Sequence, residues 1–135
     1  MNQSLTSKIR AANSALITEG KLDAIGDFFT PDYVAHLTDR DTHGGDDVVD
    51  KFLGMLRSAF PDLQVEVEIL VEGPDRVAWQ RTLRGAQKGA FMGFPASGRP
   101  IVWRDMITSR FRNGLIAEEW VVSDLAERLL LARKR

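Results

Sequence analysis

Residues 63–85 read Leu-Gln-Val-Glu-Val-Glu-Ile-Leu-Val-Glu-Gly-Pro-Asp-Arg-Val-Ala-Trp-Gln-Arg-Thr-Leu-Arg-Gly, and this stretch decides the fold. Leu63, Val65, Val67, Ile69 and Val71 alternate with Gln64, Glu66, Glu68 and Leu70, the period-two pattern of a strand with one wet face, Leu70 excepted. Gly73-Pro74-Asp75 is a turn, so Arg76 to Arg84 is the antiparallel partner and the pair makes a hairpin. Downstream, Gly85 to Gly98 carries four glycines and Pro95 and reads as a long, partly extended connection that tucks Phe91, Met92 and Phe94 under a loop. Arg99 to Arg112 is a long strand. Asn113-Gly114 is a strong hairpin signal, and Leu115 to Val122 returns, so the sheet is mostly antiparallel.

Upstream the period changes to helical. Leu5, Ile9, Ala12 and Leu16 form one face, with Ser4 as N-cap and Gly20 as terminator. A short second helix carries Leu22, Ile25 and Phe29, and Pro31-Asp32 then turn the chain into Tyr33-Val34-Ala35-His36. After a polar loop, Asp46 and Asp47 suit the positive end of a third helix bearing Val48, Val49, Phe52, Leu56 and Ala59, which Pro61 stops. Asp124 and Glu127 resemble a capping box that opens a final helix with Leu125, Leu129 and Ala132. Three helices, four strands and a closing helix, with no internal repeat, give one α+β domain over residues 1–135, with helices covering one face of a curved sheet. A bent sheet packed on helices makes a cone with an apolar interior, a natural place for a small-molecule pocket.

Composition removes several chemistries. The 135 residues include no cysteine, which excludes thiol nucleophiles, iron–sulfur ligation and disulfides and fits a cytoplasmic protein. With 18 Lys+Arg against 19 Asp+Glu the net charge is −1, which argues against a nucleic-acid partner. The only basic run, Arg133-Lys134-Arg135, reads as the solvated end of a helix. No basic segment followed by an apolar stretch opens the chain, and no apolar run approaches the roughly 20 residues that span a bilayer, so neither export nor a membrane role is expected. The two histidines with Asp39 and Asp41 match no metal-ligand spacing, and no metal is expected.

Four segments, GKLDAIGDFFTPDYVAH (20–36), AFPDLQVEVEILVEGPDRVAWQRTLRG (59–85), GAFMGFPASGR (89–99) and RFRNGLIAEEWVVSDL (110–125), together resemble the SnoaL-like polyketide cyclase (ester cyclase) branch of the NTF2-like superfamily. The resemblance implies an NTF2-like cone, usually a homodimer, holding a small hydrophobic, polyketide-like molecule. It also implies aldol ring closure by proton transfer, with no cofactor. The position that carries the catalytic aspartate in those cyclases falls on Val121, and the histidine position two residues earlier falls on Glu119. The assisting positions on the preceding strand fall on Asp105 and Ile107. Two of the four have thus lost their polar group and two carry carboxylates.

Strand parity puts Asp105, Ile107 and Ser109 on one side of their strand and Ala117, Glu119 and Val121 on one side of theirs. If that side is the interior, two carboxylates repel in an apolar cavity and one has a raised pKa, giving an acid and a base. The alternative is a structural ion pair with Arg81, Arg104 or Arg110. Other expected ligand contacts are Tyr33; His36, near the mouth of the cone; Gln80, which with Thr82 offers neutral hydrogen bonds; Phe91 and Met92, as lid or lining; and Trp103, Ile107 and Val121. Packing is the expected role of at least two of Trp79, Trp103 and Trp120. Three functions follow: a cofactor-independent cyclase or isomerase with Asp105 or Glu119 as base; a non-catalytic binding or accessory protein; and epoxide hydration. The last resembles limonene-type hydrolases, whose Arg lies two residues from an Asp, where this chain has Trp103 and Ile107.

Overall fold

The structure, a computed structural model, describes residues 4–44 and 51–133. In chain order the elements are α1 (Leu5–Asn13), β1 (Phe29–His36), β2 (Asp41–His43), α2 (Lys51–Ala59), β3 (Gln64–Glu72), β4 (Arg76–Ala86), β5 (Pro100–Arg112), β6 (Leu115–Ser123) and α3 (Leu125–Arg133). The start of the third helix at Asp46 to Val49, and Lys134 and Arg135, lie outside the described residues.

The six strands form one sheet in the order β2-β1-β6-β5-β4-β3. The hairpin that the alternation predicts is β3–β4, in register from Gln64 opposite Arg84 to Glu72 opposite Val77. Its register slips between Ile69 and Val71, so Leu70 is the extra residue of a bulge, which explains why it alone broke the alternation. Asn113 and Gly114 both take positive φ, 54° and 80°, as a two-residue hairpin between β5 and β6 requires.

Two strands were not expected. Phe29–His36 is β1 rather than a helix end and a turn, and it runs parallel to β6, Ala35 opposite Glu119. Pro31 is tolerated because the β1–β6 register is irregular between Phe29 and Val34, where no ladder N–H is needed. The polar loop closes as a small hairpin that pairs β2 with β1. Every pairing except β1–β6 is antiparallel.

The first helix is capped by Ser4, whose hydroxyl accepts from the Ser7 amide at 3.1 Å. It is α-helical only to Asn13 and continues as a π-turn over Ser14–Thr18. Leu22–Asp27 is a 3₁₀ turn. The capping box does not close at α3. The Asp124 carboxylate instead accepts from the Arg104 amide at 2.8 Å and from Arg128, tying the helix start to β5. The core lies between the concave face of the sheet and the helices and includes Ile9, Leu16, Phe60, Trp79, Leu83, Trp103 and Leu129.

Candidate functional site

Alternation along β5 is complete: Ile101, Trp103, Asp105, Ile107, Ser109 and Phe111 are buried, while Val102, Arg104 and Met106 face out. Ala117 and Glu119 of β6, Tyr33 and Ala35 of β1, and Val77, Trp79 and Leu83 of β4 are buried on the same side. Arg81 occupies the next inward place on β4, directly opposite Asp105. Asn13, Asp105, Ser109 and Glu119 are four of the six buried polar residues among those described, the others being Thr30 and Gln87.

The first four form two bonded groups. In the first, Arg81 Nε donates to Asp105 Oδ2 at 2.9 Å and Arg81 Nη1 to Asn13 Oδ1 at 2.9 Å, with side chains 17% and 8% exposed for Arg81 and Asp105. Asn13 Nδ2 donates to Ile9 O one turn back, which fixes the amide orientation. Asp105 Oδ1 is buried and accepts no hydrogen bond from any described residue. In the second group, Trp79 Nε1 donates to Ser109 Oγ at 2.9 Å, Ser109 Oγ donates to Glu119 Oε2 at 2.5 Å, and Tyr33 Oη donates to Glu119 Oε1 at 2.7 Å. Burial pushes the Glu119 carboxyl above its ordinary range, against the hydroxyls of Ser109 and Tyr33 and the charge of Arg81, which pull it down. Burial, then the charge of Glu119, pushes the Tyr33 phenol well up.

The two carboxylates share a face, but their relationship differs from the expected one. Asp105 lies opposite Ser123 and Ser109 opposite Glu119, an offset of four residues, or roughly 13 Å of strand rise. Repulsion from Asp105 is the smallest of the influences named for Glu119, and burial is the largest. They are two separate hydrogen-bonded sites, with Arg81 bonded to Asp105, not a dyad sharing one proton. Of the three arginines weighed for Asp105, only Arg81 faces inward; Arg110 pairs with Glu118 at 2.8 Å on the outer side.

Several expected contacts lie elsewhere. His36 is on the outer side of β1, where Nδ1 meets Asp41 Oδ1 at 2.8 Å and Nε2 meets Glu118 Oε2 at 2.5 Å, and its ring stacks on Trp120. Gln80 is also outward, donating to Glu68 Oε1 at 2.8 Å, because strand parity gives the inward places to its neighbours Trp79 and Arg81. Ile107 and Val121 face each other in register as an apolar pair. Trp103 is buried against Phe60, with ring centroids 4.9 Å apart.

Phe91 is buried, while Met92 is 58% exposed. Both line a surface cleft of ≈ 650 Å³ with Leu22, Lys51, Gly54, Met55, Ser58 and Ala90. A second cleft, ≈ 390 Å³, runs between the start of β5 and α3. Neither is lined by Asp105, Arg81 or Glu119. Rings in contact, Phe91–Phe60–Trp103, lead from the first cleft to the strand that carries Asp105. No group of three or more His, Asp or Glu suited to a metal occurs among the described residues.

Sequence reasoning passed over Asn13, placed Ser109 on the inward face without a role, and gave Trp79 packing and Arg81 only pairing. The signal for Arg81 was a charge at an inward place between Trp79 and Leu83. For Asn13 it was an amide four residues after Ile9, on the apolar face of its helix.

A mixed sheet curved around helices, with its polar side chains gathered on the concave face, defines an NTF2-like cone. The chain belongs to the SnoaL-like polyketide cyclase family, whose profile matches residues 7–130. Among solved structures it is similar to a SnoaL-like protein from Jannaschia sp. CCS1, 25% identical, with TM-score 0.83, covering 98% of this chain and 96% of that one. AclR, a proposed hydroxylase from Streptomyces galilaeus, is 30% identical, with TM-score 0.79 and coverage of 98% and 99%. IdmH, a proposed polyketide cyclase from Streptomyces antibioticus, is 29% identical, with TM-score 0.77 and coverage of 98% and 100%. No curated protein sequence matches the chain.

Proposed function

We propose that this protein binds a small hydrophobic carbonyl compound in its cone and acts as a cofactor-independent cyclase or isomerase. Asp105 removes a proton from carbon next to the carbonyl and Glu119 serves as the proton-holding acid. The observation that carries this reading is the single free lone-pair face at Asp105 Oδ1. The carboxylate is fixed through Oδ2 by Arg81, and its other oxygen is buried and accepts no hydrogen bond from any described residue. A buried acceptor without a donor costs roughly 1–3 kcal/mol and is a common mark of a working group. Glu119, whose carboxyl burial pushes above its ordinary range and which is held by two hydroxyls, is the complementary partner in the acid–base division of labour. The cleft beside Phe91 and Met92 is the route of access, and Tyr33, Trp103, Ile107 and Val121 are the inner wall.

The test is deuterium incorporation from D₂O into the α-carbon of a panel of enolisable aromatic ketones, followed by NMR. Exchange at least tenfold above buffer for one member, lost in Asp105→Asn, is the expected result. A panel on which the wild type never exceeds buffer sinks the catalytic reading. One observation favours a binding or accessory role: Ile107 and Val121 make an apolar pair where the cyclases of this family carry polar groups. That role is left standing if ketones bind without exchange.

We also propose that two copies associate through the outer sheet face, where Val102, Met106 and Val122 are each at least half exposed. A cytoplasmic location is consistent with the absence of cysteine.

A further inference from the structure

Proton abstraction from carbon leaves negative charge on an oxygen, and Arg81 is the cation bonded to Asp105 that can receive it. Of the donors facing inward, the Trp79 indole is spent on Ser109, and the Ser109 and Tyr33 hydroxyls are spent on Glu119. A guanidinium carries five N–H bonds in a planar fork. Arg81 uses one on Asp105 and one on Asn13, and its remaining three have no partner among the described residues. The guanidinium lies 5.5 Å over the Trp79 ring, so its plane is supported from one side.

We propose that Arg81 is an oxyanion site, taking the oxygen of an enolate or a phenolate through the edge of its guanidinium that Asp105 and Asn13 leave open. The inference rests on the reading that ligands occupy the interior. Charge conservation supports it. Before transfer the cluster holds Asp105 as an anion, Arg81 as a cation and a neutral ketone. The C–H bond breaks, its proton goes to Asp105 Oδ1, its electron pair forms the C=C bond of the enolate, and the C=O π pair moves onto the oxygen. Afterwards Asp105 is neutral and Arg81 faces the new anion, so the net charge of the buried cluster never changes and no charge is stranded in a low-dielectric interior. Registry makes this local, because Arg81 and Asp105 are direct cross-strand partners. Asn13 is the positioning residue: its amide, anchored on Ile9 O, holds Nη1 so that the fork cannot swing around to close on both Asp105 oxygens. The π-turn that begins at Ser14 directly follows it, an irregularity often found where a helix serves a site.

The probe is 2-naphthol, whose absorbance and emission separate naphthol from naphtholate and whose binding involves no turnover. Wild type is expected to bind it as naphtholate at a pH where free naphthol is neutral. Arg81→Lys, which keeps the charge and so the fold but loses the fork, should lower the bound naphtholate at least tenfold, with the circular dichroism spectrum unchanged. Asp105→Asn should abolish ketone exchange yet bind naphtholate at least as tightly as wild type, because the competing carboxylate is gone. Naphthol bound only in its neutral form, or an ionised fraction equal in wild type and Arg81→Lys, overturns the oxyanion site while leaving interior binding intact. Failure of wild type to bind naphthol at all removes the oxyanion site and the interior-binding reading together.

Discussion

The position of one proton follows from hydrogen-bond direction alone. Trp79 Nε1 can only donate, so Ser109 Oγ accepts from it and must send its own hydrogen to Glu119 Oε2. Glu119 thus accepts at both oxygens, from Ser109 at Oε2 and from Tyr33 at Oε1. The consequence for stability has a definite sign. Burial raises the folded-state pKa of Glu119 above its ordinary 4.5, so the native protein holds a proton that the unfolded chain releases, and stability falls as pH rises from 4.5 through the raised value. Glu119→Gln reproduces the protonated pattern, with its amide oxygen accepting from Ser109 and its amide nitrogen donating to Tyr33. The variant should be more stable than wild type at pH 8 by on the order of 1 kcal/mol. The difference should vanish below pH 4, as read from denaturant melts across that range. A variant less stable than wild type at pH 8 would mean that the fold does not raise the Glu119 carboxyl above its ordinary range. Strand parity in the sequence was enough to place Asp105 and Glu119 on one face. It could not reveal that Arg81 stands directly opposite Asp105, because a cross-strand neighbour depends on the register of β4 on β5, which alternation within one strand leaves open.

The loop from Gln87 to Arg99 is built as a unit around one side chain. Gln87 is almost fully buried; its amide nitrogen donates to Gly89 O, Phe94 O and Pro95 O at 3.2–3.3 Å, and its amide oxygen accepts from Ser97 N. The loop is pinned to the end of α2, where Lys88 and Gly89 amides share Ala59 O. A Cβ at Gly89 would lie 3.3 Å from Ala59 Cα, so the close approach explains that glycine. Met92 and Gly93, with φ of 52° and 82°, form the two-residue turn that presents buried Phe91 to the interior and Met92 to solvent. Gln87→Leu keeps the volume but removes the bonds to Gly89 O, Pro95 O and Ser97 N and leaves Phe94 O only the Phe91 amide, which should cost about 2–3 kcal/mol and lower Tm by roughly 8–12 °C. A melt within 2 °C of wild type would show that the loop is held by Phe91 packing instead. The sequence announced this segment as glycine-rich and irregular, yet its order comes from a polar residue that periodicity assigns no role. Similarly, Pro31 read as a breaker because the irregular register that excuses it in β1 is a property of the partner strand.

At the scale of the molecule the outer sheet face is the surface still to be accounted for. Met106 and Val122 are direct partners across β5 and β6, Trp120 lies beyond them opposite Thr108, and Val102 extends the row along β5. The far edge is closed by charge: Arg76 lies 5.3 Å over the Trp120 ring, and His36 stacks on Trp120 while both its ring nitrogens face carboxylates. Two carboxylate neighbours favour the form with hydrogen on both nitrogens, and the pKa of His36 is raised by Glu118 and then by Asp41. Glu118 is pulled below its ordinary 4.5 by His36 and Arg110. The contribution of His36 is fully present below pH 6.5 and fades as pH rises through its raised value. That of Glu118 is present above 4.5 and fades as pH falls through its lowered one. The edge is thus firmest in mildly acidic solution, and a His36→Ala protein should lose that upper pH dependence in urea melts between pH 6 and 9. An apolar row framed by a neutralised ion cluster is suited to a second copy of itself, since a two-fold axis through the row sets apolar side chains on apolar side chains and like edges apart. Sedimentation at tens of micromolar is expected to give a dimer at neutral pH. Met106→Lys with Val122→Lys changes two exposed positions, so the fold should stand within about 0.5 kcal/mol while the dimer is lost. A wild type that sediments as a monomer, or a doubly charged variant that still dimerises, would move the interface off this face.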